Sequence, residues 1–371
     1  MNTNPAASGY ARLRLWQARS VLAGLTLLVG FSLAVLPSPP DVPKDPQERA
    51  KTGDVALYMA EVQRIHAGDG YYAAAARELV ARHYPTRSVF NWRTPLPMWL
   101  VGILPDAVMG KLLLIAAALL LVLTAFEITS REEPNIYVRA VPLAVLLVGP
   151  LLPCVIEDLF ILPVFWAGVF VGLSICAYGL NRPFLGAAAG LAAVFFRELA
   201  LPYCVLAAML AVGQRRRGEL AVWLLGLAGW AVFFGLHYWQ VAQVMPPDAQ
   251  AHREGWIRFG GTSFVLATVN VNTCLLLIPT WITVFYFAAA MFGLAGWHTP
   301  LGLRVGLTVG LYVVAFSIVG QDFNRYWGLL IAPLYCFGVA RAPVSLVELW
   351  RASQLPAWRP LRFLHAAAQP R

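Results

Sequence analysis

Apolar runs of about 15 to 24 residues follow one another from residue 20 to residue 342, and that succession restricts the fold of this chain more than any other feature. A helix rises 1.5 Å per residue, so roughly 20 apolar residues cross the ~30 Å hydrocarbon core of a bilayer. Only 13% of the residues are charged and 59% are hydrophobic, whereas an average soluble domain has about 25% charged residues. The fold class expected is therefore all-α and polytopic, one helical bundle whose main solvent is lipid.

Ten membrane helices are predicted, near residues 19–37, 106–127, 138–155, 159–180, 183–196, 199–213, 219–239, 275–297, 302–319 and 327–342. Arg12, Arg14 and Arg19 precede or open the first run and hold the amino terminus in the cytoplasm. Ten crossings return the carboxyl terminus to the same side. The short loops assigned to that side carry Arg131, Arg139, Arg182, Arg215, Arg216, Arg217, Arg304 and Arg341, as retention of positive loops requires. Residues 1–18 then form a cytoplasmic segment, residues 19–342 the membrane domain with an outer loop over 38–105, and residues 343–371 a basic tail on the anionic inner leaflet. No small-residue cleavage pattern closes the first run, so it is read as a retained helix. The helices at 183–196 and 199–213 are too short to cross upright and are expected to form a hairpin that stops below the outer surface.

The net charge of +9 lies mostly in these loops, without the basic stripe interleaved with aromatics that marks a nucleic-acid interface. All five cysteines, Cys154, Cys176, Cys204, Cys274 and Cys336, fall in apolar runs without zinc-ligand spacing, and are read as small hydrophobes.

Most acidic residues, by contrast, fall on the outer side, and ionisable groups at a hydrocarbon boundary mark water-filled functional cavities. Asp54, Tyr58 and Glu61 recur at helical spacing on one face of a segment expected to lie on the membrane. Asp54 has two readings here: a reactive carboxylate, or a charge that favours the start of a helix after a Thr52 cap. Gly68-Asp69-Gly70-Tyr71-Tyr72 follows, and then Phe90-Asn91-Trp92-Arg93-Thr94-Pro95-Leu96-Pro97, which joins an Arg to a Trp-rich interfacial stretch. Arg93 either snorkels or meets an anion. The adjacent Arg197 and Glu198 at the hairpin tip need partners or water. Arg325, next to Tyr326, either binds phosphate or pairs with Asp322. Glu157-Asp158 form a further acidic pair on the same side.

Taken together these residues resemble the GT-C superfamily of membrane glycosyltransferases, which use polyprenyl-phosphate sugars. The likeness covers residues 19 to about 342, and its strongest local part is Asp54 with Tyr58, Gly68-Asp69-Gly70-Tyr71-Tyr72, Tyr84-Pro85 and Arg93-Thr94-Pro95-Leu96-Pro97. Lipid A aminoarabinose transferases and protein O-mannosyltransferases are similar there, although they often show Asp-Glu where this chain has Asp54-Val55 and a Lys near the position of Arg93. The resemblance implies a polytopic transferase of a bacterial inner membrane with its site facing the periplasm. Its donor is a polyprenyl-phosphate sugar and its acceptor a glycan, glycolipid or lipid hydroxyl. In that frame Asp54, with Asp69 as the alternative, is the expected general base; Arg93, Arg197 and Arg325 are expected at the donor phosphate; Tyr58, Glu61, Glu198 and Tyr326 support them; and Glu157 and Asp158 are candidate ligands for a divalent metal.

The chemistry agrees with this donor type. Nucleotide sugars are cytoplasmic, whereas the candidate groups face outward, and no Gly-rich phosphate loop is present. Three other readings compete: a transporter or flippase of a lipid-linked or anionic solute, which needs charges along a transmembrane path; an O-acyltransferase, which needs a basic His such as His237 or His298; and a noncatalytic envelope partner.

Overall fold

The computed structural model describes residues 8–38, 53–251, 255 and 257–355. Thr52 and most of segment 343–371 past Leu355 lie outside the described residues, as does the first part of the outer loop.

The described chain is helical, and its one β-type pairing is an isolated antiparallel bridge between Ile257 and Val319. In chain order the α-helices are α1 (Leu15–Ala34), α2 (Gly53–His66), α3 (Tyr71–Ala81), α4 (Val89–Trp92), α5 (Leu96–Gly102), α6 (Ala107–Glu132), α7 (Ala140–Leu151), α8 (Pro163–Gly179), α9 (Pro183–Phe196), α10 (Leu201–Gly213), α11 (Arg217–Val244), α12 (Gly261–Val269), α13 (Thr273–Leu276), α14 (Trp281–Ala295), α15 (Pro300–Ile318) and α16 (Ala332–Ser353). Each of the ten predicted runs falls on one of these helices. Among the described residues, however, only α1, α6, α11 and α15 are long and apolar enough to cross a membrane by themselves. The segment Asp322–Leu330, a 3-10 stretch bent 67° from α16, makes a fifth span if the two count as one. Helices α7 to α10 and α14 are apolar but shorter.

Exposure identifies the solvent. Leu27 of α1 and Leu225 of α11 are each more than 70% exposed, and such faces on long apolar helices have lipid as their natural surroundings. Inside the bundle, packing depends on close backbone approach, because lipid supplies little hydrophobic drive between helices. Gly293 of α14 and Gly338 of α16 make a close crossing: a Cβ on Gly338 would strike the Ala290 carbonyl, and one on Gly293 the Gly338 carbonyl.

The structure revises several sequence expectations. The last helix starts at Ala332 rather than near 327 and continues through Pro343 to Ser353, past the boundary at 342. Arg304 and Arg341 are not loop charges: both are buried within helices. Arg304 sits 3.5 Å over the Tyr178 ring and 3.8 Å from Glu219, and Arg341 sits 3.4 Å over Trp297 and 2.5 Å from Glu132. An aromatic face and a carboxylate together offset the loss of water. Helix α12 lies between the predicted helices at 219–239 and 275–297, where the apolar runs predict none.

Segment Gly9–Arg12, the α14–α15 turn and the end of α16 share one end, where Gly9 N–H donates to the Gly296 carbonyl at 2.9 Å and Ser8 N–H to Glu348 Oε2 at 2.7 Å. The opposite end carries α2 to α5, the α7–α8 turn, the α9–α10 tip and Asp322–Leu330.

Candidate functional site

At that second end lies a cavity of about 950 Å³. Helix α2 forms one wall with Asp54 and Tyr58, the segment around α4 contributes Asn91 and Arg93, the α7–α8 turn contributes Glu157 and Asp158, and the 3-10 stretch contributes Asn324 and Tyr326. Thus residues spread over 270 positions of sequence, six of them singled out above, line one space. The buried face of α2 is mainly apolar, with Ala56, Leu57, Val62 and Ile65, but it also carries Tyr58 and Glu61, while Gln63 and His66 are exposed. A carboxyl buried on the apolar face of a surface helix is the exception to ordinary burial and points toward a site.

Asp54 and Arg93 form the centre. Tyr84 donates its hydroxyl proton to Asp54 Oδ1 at 3.1 Å, and Tyr58 reaches Oδ2 at 3.4 Å. Arg93 Nη2 lies 3.8 Å from Oδ2, while its Nε donates to the Tyr58 hydroxyl at 2.7 Å and its Nη2 to the Tyr326 hydroxyl at 3.2 Å. Arg93 Nη1 donates to the Phe90 carbonyl. The carboxylate is about a quarter exposed and the guanidinium about a tenth, so the two charges meet at the edge of water.

The backbone of Arg93 has φ 58° and ψ 164°, a region that L-residues adopt at a cost of about 1–3 kcal/mol. Its neighbours hold it there. Trp92 is buried with its indole N–H donating to the Thr86 carbonyl at 2.8 Å, and Thr94 donates to the Phe195 carbonyl at 3.2 Å. The second contact also ties the outer segment to the hairpin tip.

Behind this centre is a layer of buried polar groups. Burial pushes the Glu61 carboxyl up to about 8, against the opposing pull of Arg93 and with help from Glu78 and Asp54; its Oε2 has no hydrogen-bond partner. Burial likewise holds the Tyr58 hydroxyl well above the usual phenol range, with Arg93 pulling the other way. Glu61 is therefore neutral near pH 7, which leaves the charge of Arg93 to groups in the cavity. Arg197 and Glu198 approach to 3.1 Å at the tip, yet Arg197 Nε and Nη1 and Glu198 Oε2 make no hydrogen bond. Arg197 lies close enough to act electrostatically on Tyr58 and Tyr326, though it does not line the cavity.

Two of the predicted residues stand elsewhere. Asp69 is at the α2–α3 turn, 2.8 Å from Arg77 and 3.8 Å from Arg64, away from the cavity lining. Arg325 donates to the backbone carbonyls of Asp322 at 3.1 Å and Ser38 at 2.7 Å, and the Asp322 carboxylate pairs instead with Arg258 at 2.8 Å. Glu157 and Asp158 face the cavity, but among the described residues no group of three or more His, Cys, Asp or Glu is placed to hold a metal ion. Of the two histidines weighed for acyl transfer, His237 is buried against the Tyr72 hydroxyl at 3.2 Å and His298 is exposed at the other end of the bundle.

Sequence reasoning quoted Tyr84 without giving it a role, and it is the best-placed donor to Asp54. Its position 30 residues away, beside Pro85 in an otherwise polar segment, was the only signal. Comparison of the chain with protein-family models, curated proteins and solved structures finds no match.

Proposed function

We propose that the chain is a membrane glycosyltransferase that moves a sugar from a polyprenyl-phosphate donor to an acceptor hydroxyl. We place the reaction on the periplasmic face of a bacterial inner membrane, in the synthesis of a cell-envelope glycan or glycolipid. The observation that carries this reading is that the Asp54 carboxylate and the Arg93 guanidinium, pre-oriented by three tyrosines, face one cavity at the end of an apolar bundle. Opposite charges 3.8 Å apart match the two needs of the transfer.

An alcohol has a pKa far above 7, so attack on the anomeric carbon requires a base that takes its proton as the new bond forms. Asp54 Oδ2 accepts from Tyr58 at a long 3.4 Å, and a carboxylate's four lone pairs leave room for an incoming proton beside its tyrosine donors. As the acceptor oxygen bonds to the anomeric carbon, the bond from that carbon to the phosphate oxygen breaks and its electron pair stays on the lipid phosphate. Arg93 stabilises this charge, and because its geometry is fixed beforehand little reorganisation is needed. Tyr326 presents its hydroxyl to the same region. The ten-crossing topology belongs to this proposal and sets the cavity at the level of the outer headgroups.

The test is to incubate purified protein in lipid nanodiscs with a labelled polyprenyl-phosphate sugar and acceptor extracts. Loss of the lipid-linked donor with release of polyprenyl phosphate supports the reading. Intact donor relocated across a vesicle bilayer establishes the transporter instead.

A further inference from the structure

The Gly68-Asp69-Gly70-Tyr71-Tyr72 motif contributes neither base nor phosphate ligand, yet Tyr71 is buried directly beneath Arg93. Its hydroxyl donates to the Trp92 carbonyl and reaches the Arg93 carbonyl at 3.1 Å. These two carbonyls flank the N–Cα bond of Arg93 whose φ of 58° is strained. Rotation of that bond to an ordinary negative φ would swing one carbonyl away from the other, and a single hydroxyl could no longer serve both. We infer that Tyr71 is a positioning residue: its hydroxyl locks the left-handed turn that aims the Arg93 guanidinium into the cavity. The phosphate role of Arg93 in this inference rests on the function proposed above.

The adjacent Tyr72 steadies the same arrangement from the other direction. Its hydroxyl meets His237 Nδ1 of α11 at 3.2 Å, and its ring lies edge-on to that of Tyr71 at 5.0 Å. The tyrosine pair therefore connects a long helix of the bundle to the strained turn. A hydroxyl on two carbonyls is well suited to this task, because removing it leaves the ring packing in place and releases only the turn.

The experiment has two arms built on Tyr71→Phe. In the first, binding of polyprenyl monophosphate to the full-length protein in nanodiscs is measured in the native and Arg93→Ala backgrounds. A net hydrogen-bond loss corresponds to about a fivefold change in affinity, and the inference expects that loss with Arg93 present and less than twofold with Arg93→Ala. In turnover assays the donor KM rises while the acceptor KM is unchanged, a split that a general loss of structure does not produce. Equal losses in both backgrounds, or none in either, overturn the inference.

The second arm needs no ligand. Tyr71→Phe is expected to lower the thermal midpoint by roughly 1 to 2 °C in the native background, where release of the turn gives back its strain, and by more with Arg93→Gly, where glycine adopts a positive φ without strain and there is none to give back. Equal shifts in both backgrounds, or a smaller one with Arg93→Gly, overturn the inference. If the native protein does not bind polyprenyl monophosphate at all, the phosphate reading falls, and the thermal arm still decides whether Tyr71 holds the turn.

Discussion

Replacing Asp54 with Asn changes one property of the site at a time. Asparagine keeps the shape, and its Oδ1 still accepts the Tyr84 hydroxyl at 3.1 Å, but it has no basic oxygen for a proton. If Asp54 is the base, turnover falls by about 10²- to 10⁴-fold, the usual worth of a positioned general base. Donor affinity should move the other way or not at all. Asp54 lies 3.8 Å from Arg93 and competes with the phosphate for its charge, so neutralising the carboxylate leaves Arg93 freer to bind an anion. The stability cost is small, on the order of 1 kcal/mol, because Tyr58, Tyr326 and the Phe90 carbonyl still hold the guanidinium. The assay is initial-rate transfer in nanodiscs alongside a direct donor-binding titration. A variant retaining more than a tenth of native turnover refutes the base assignment, since a helix-start role predicts little change when one good capping residue replaces another. Asp69→Asn, which breaks only the ion pairs to Arg77 and Arg64, is expected to retain turnover near the native level.

Arg93→Ala should weaken donor binding by roughly tenfold to a hundredfold, the range for a lost charge-assisted contact, whereas Arg325→Ala should weaken it by less than about threefold; a titration ranking the two the other way reverses their assignment. Glu61 binds its proton more tightly folded than unfolded, with a pKa of about 8 against the ordinary 4.5, so its stabilising contribution is complete below pH 4.5 and is lost as pH rises toward 8. Thermal scans should therefore show the native protein losing stability relative to Glu61→Gln across that window, and parallel curves would contradict the burial assigned to the group. Reporter fusions after Arg217 and at the carboxyl terminus should remain cytoplasmic while one within residues 60–90 is exported, and a cytoplasmic signal from the latter overturns the orientation.

The residues legible in the sequence were those that broke the apolar pattern. Asp54, Tyr58 and Arg93 stood out because polar groups beside membrane helices are expensive, and all three line the cavity. What the sequence could not separate were two acids in one loop. Asp69 differs from Asp54 only in what folds against it, and its partners Arg64 and Arg77 meet it across the turn between two helices. Arg325 was expected either at a phosphate or on Asp322, yet it is Arg258, 64 positions away, that reaches the Asp322 carboxylate. Arg304 and Arg341 were assigned to loops because short cytoplasmic loops retain positive residues. The rings of Tyr178 and Trp297 that shelter them lie far off in the chain. Helix α12 escaped notice because Gly260, Gly261, Thr262 and Ser263 open it without an apolar run.

The docking of segment Gly9–Arg12 bears on the order of assembly. Tyr10 stacks on Phe292 at 4.4 Å, Ser8 is held by Glu348 and Arg19 by the Ser353 carbonyl at 3.3 Å, so the first helix takes all these partners from the last part of the chain. Synthesis proceeds from the amino-terminal end, and α1 therefore enters the bilayer some 270 residues before its first partner among these exists. Until then it must wait as a separate helix in lipid, a state suited to a span only 11% buried in the finished protein. Closure of the bundle is then a late event in which first and last helices meet, and a chain stalled before Phe292 would leave the amino-terminal segment undocked.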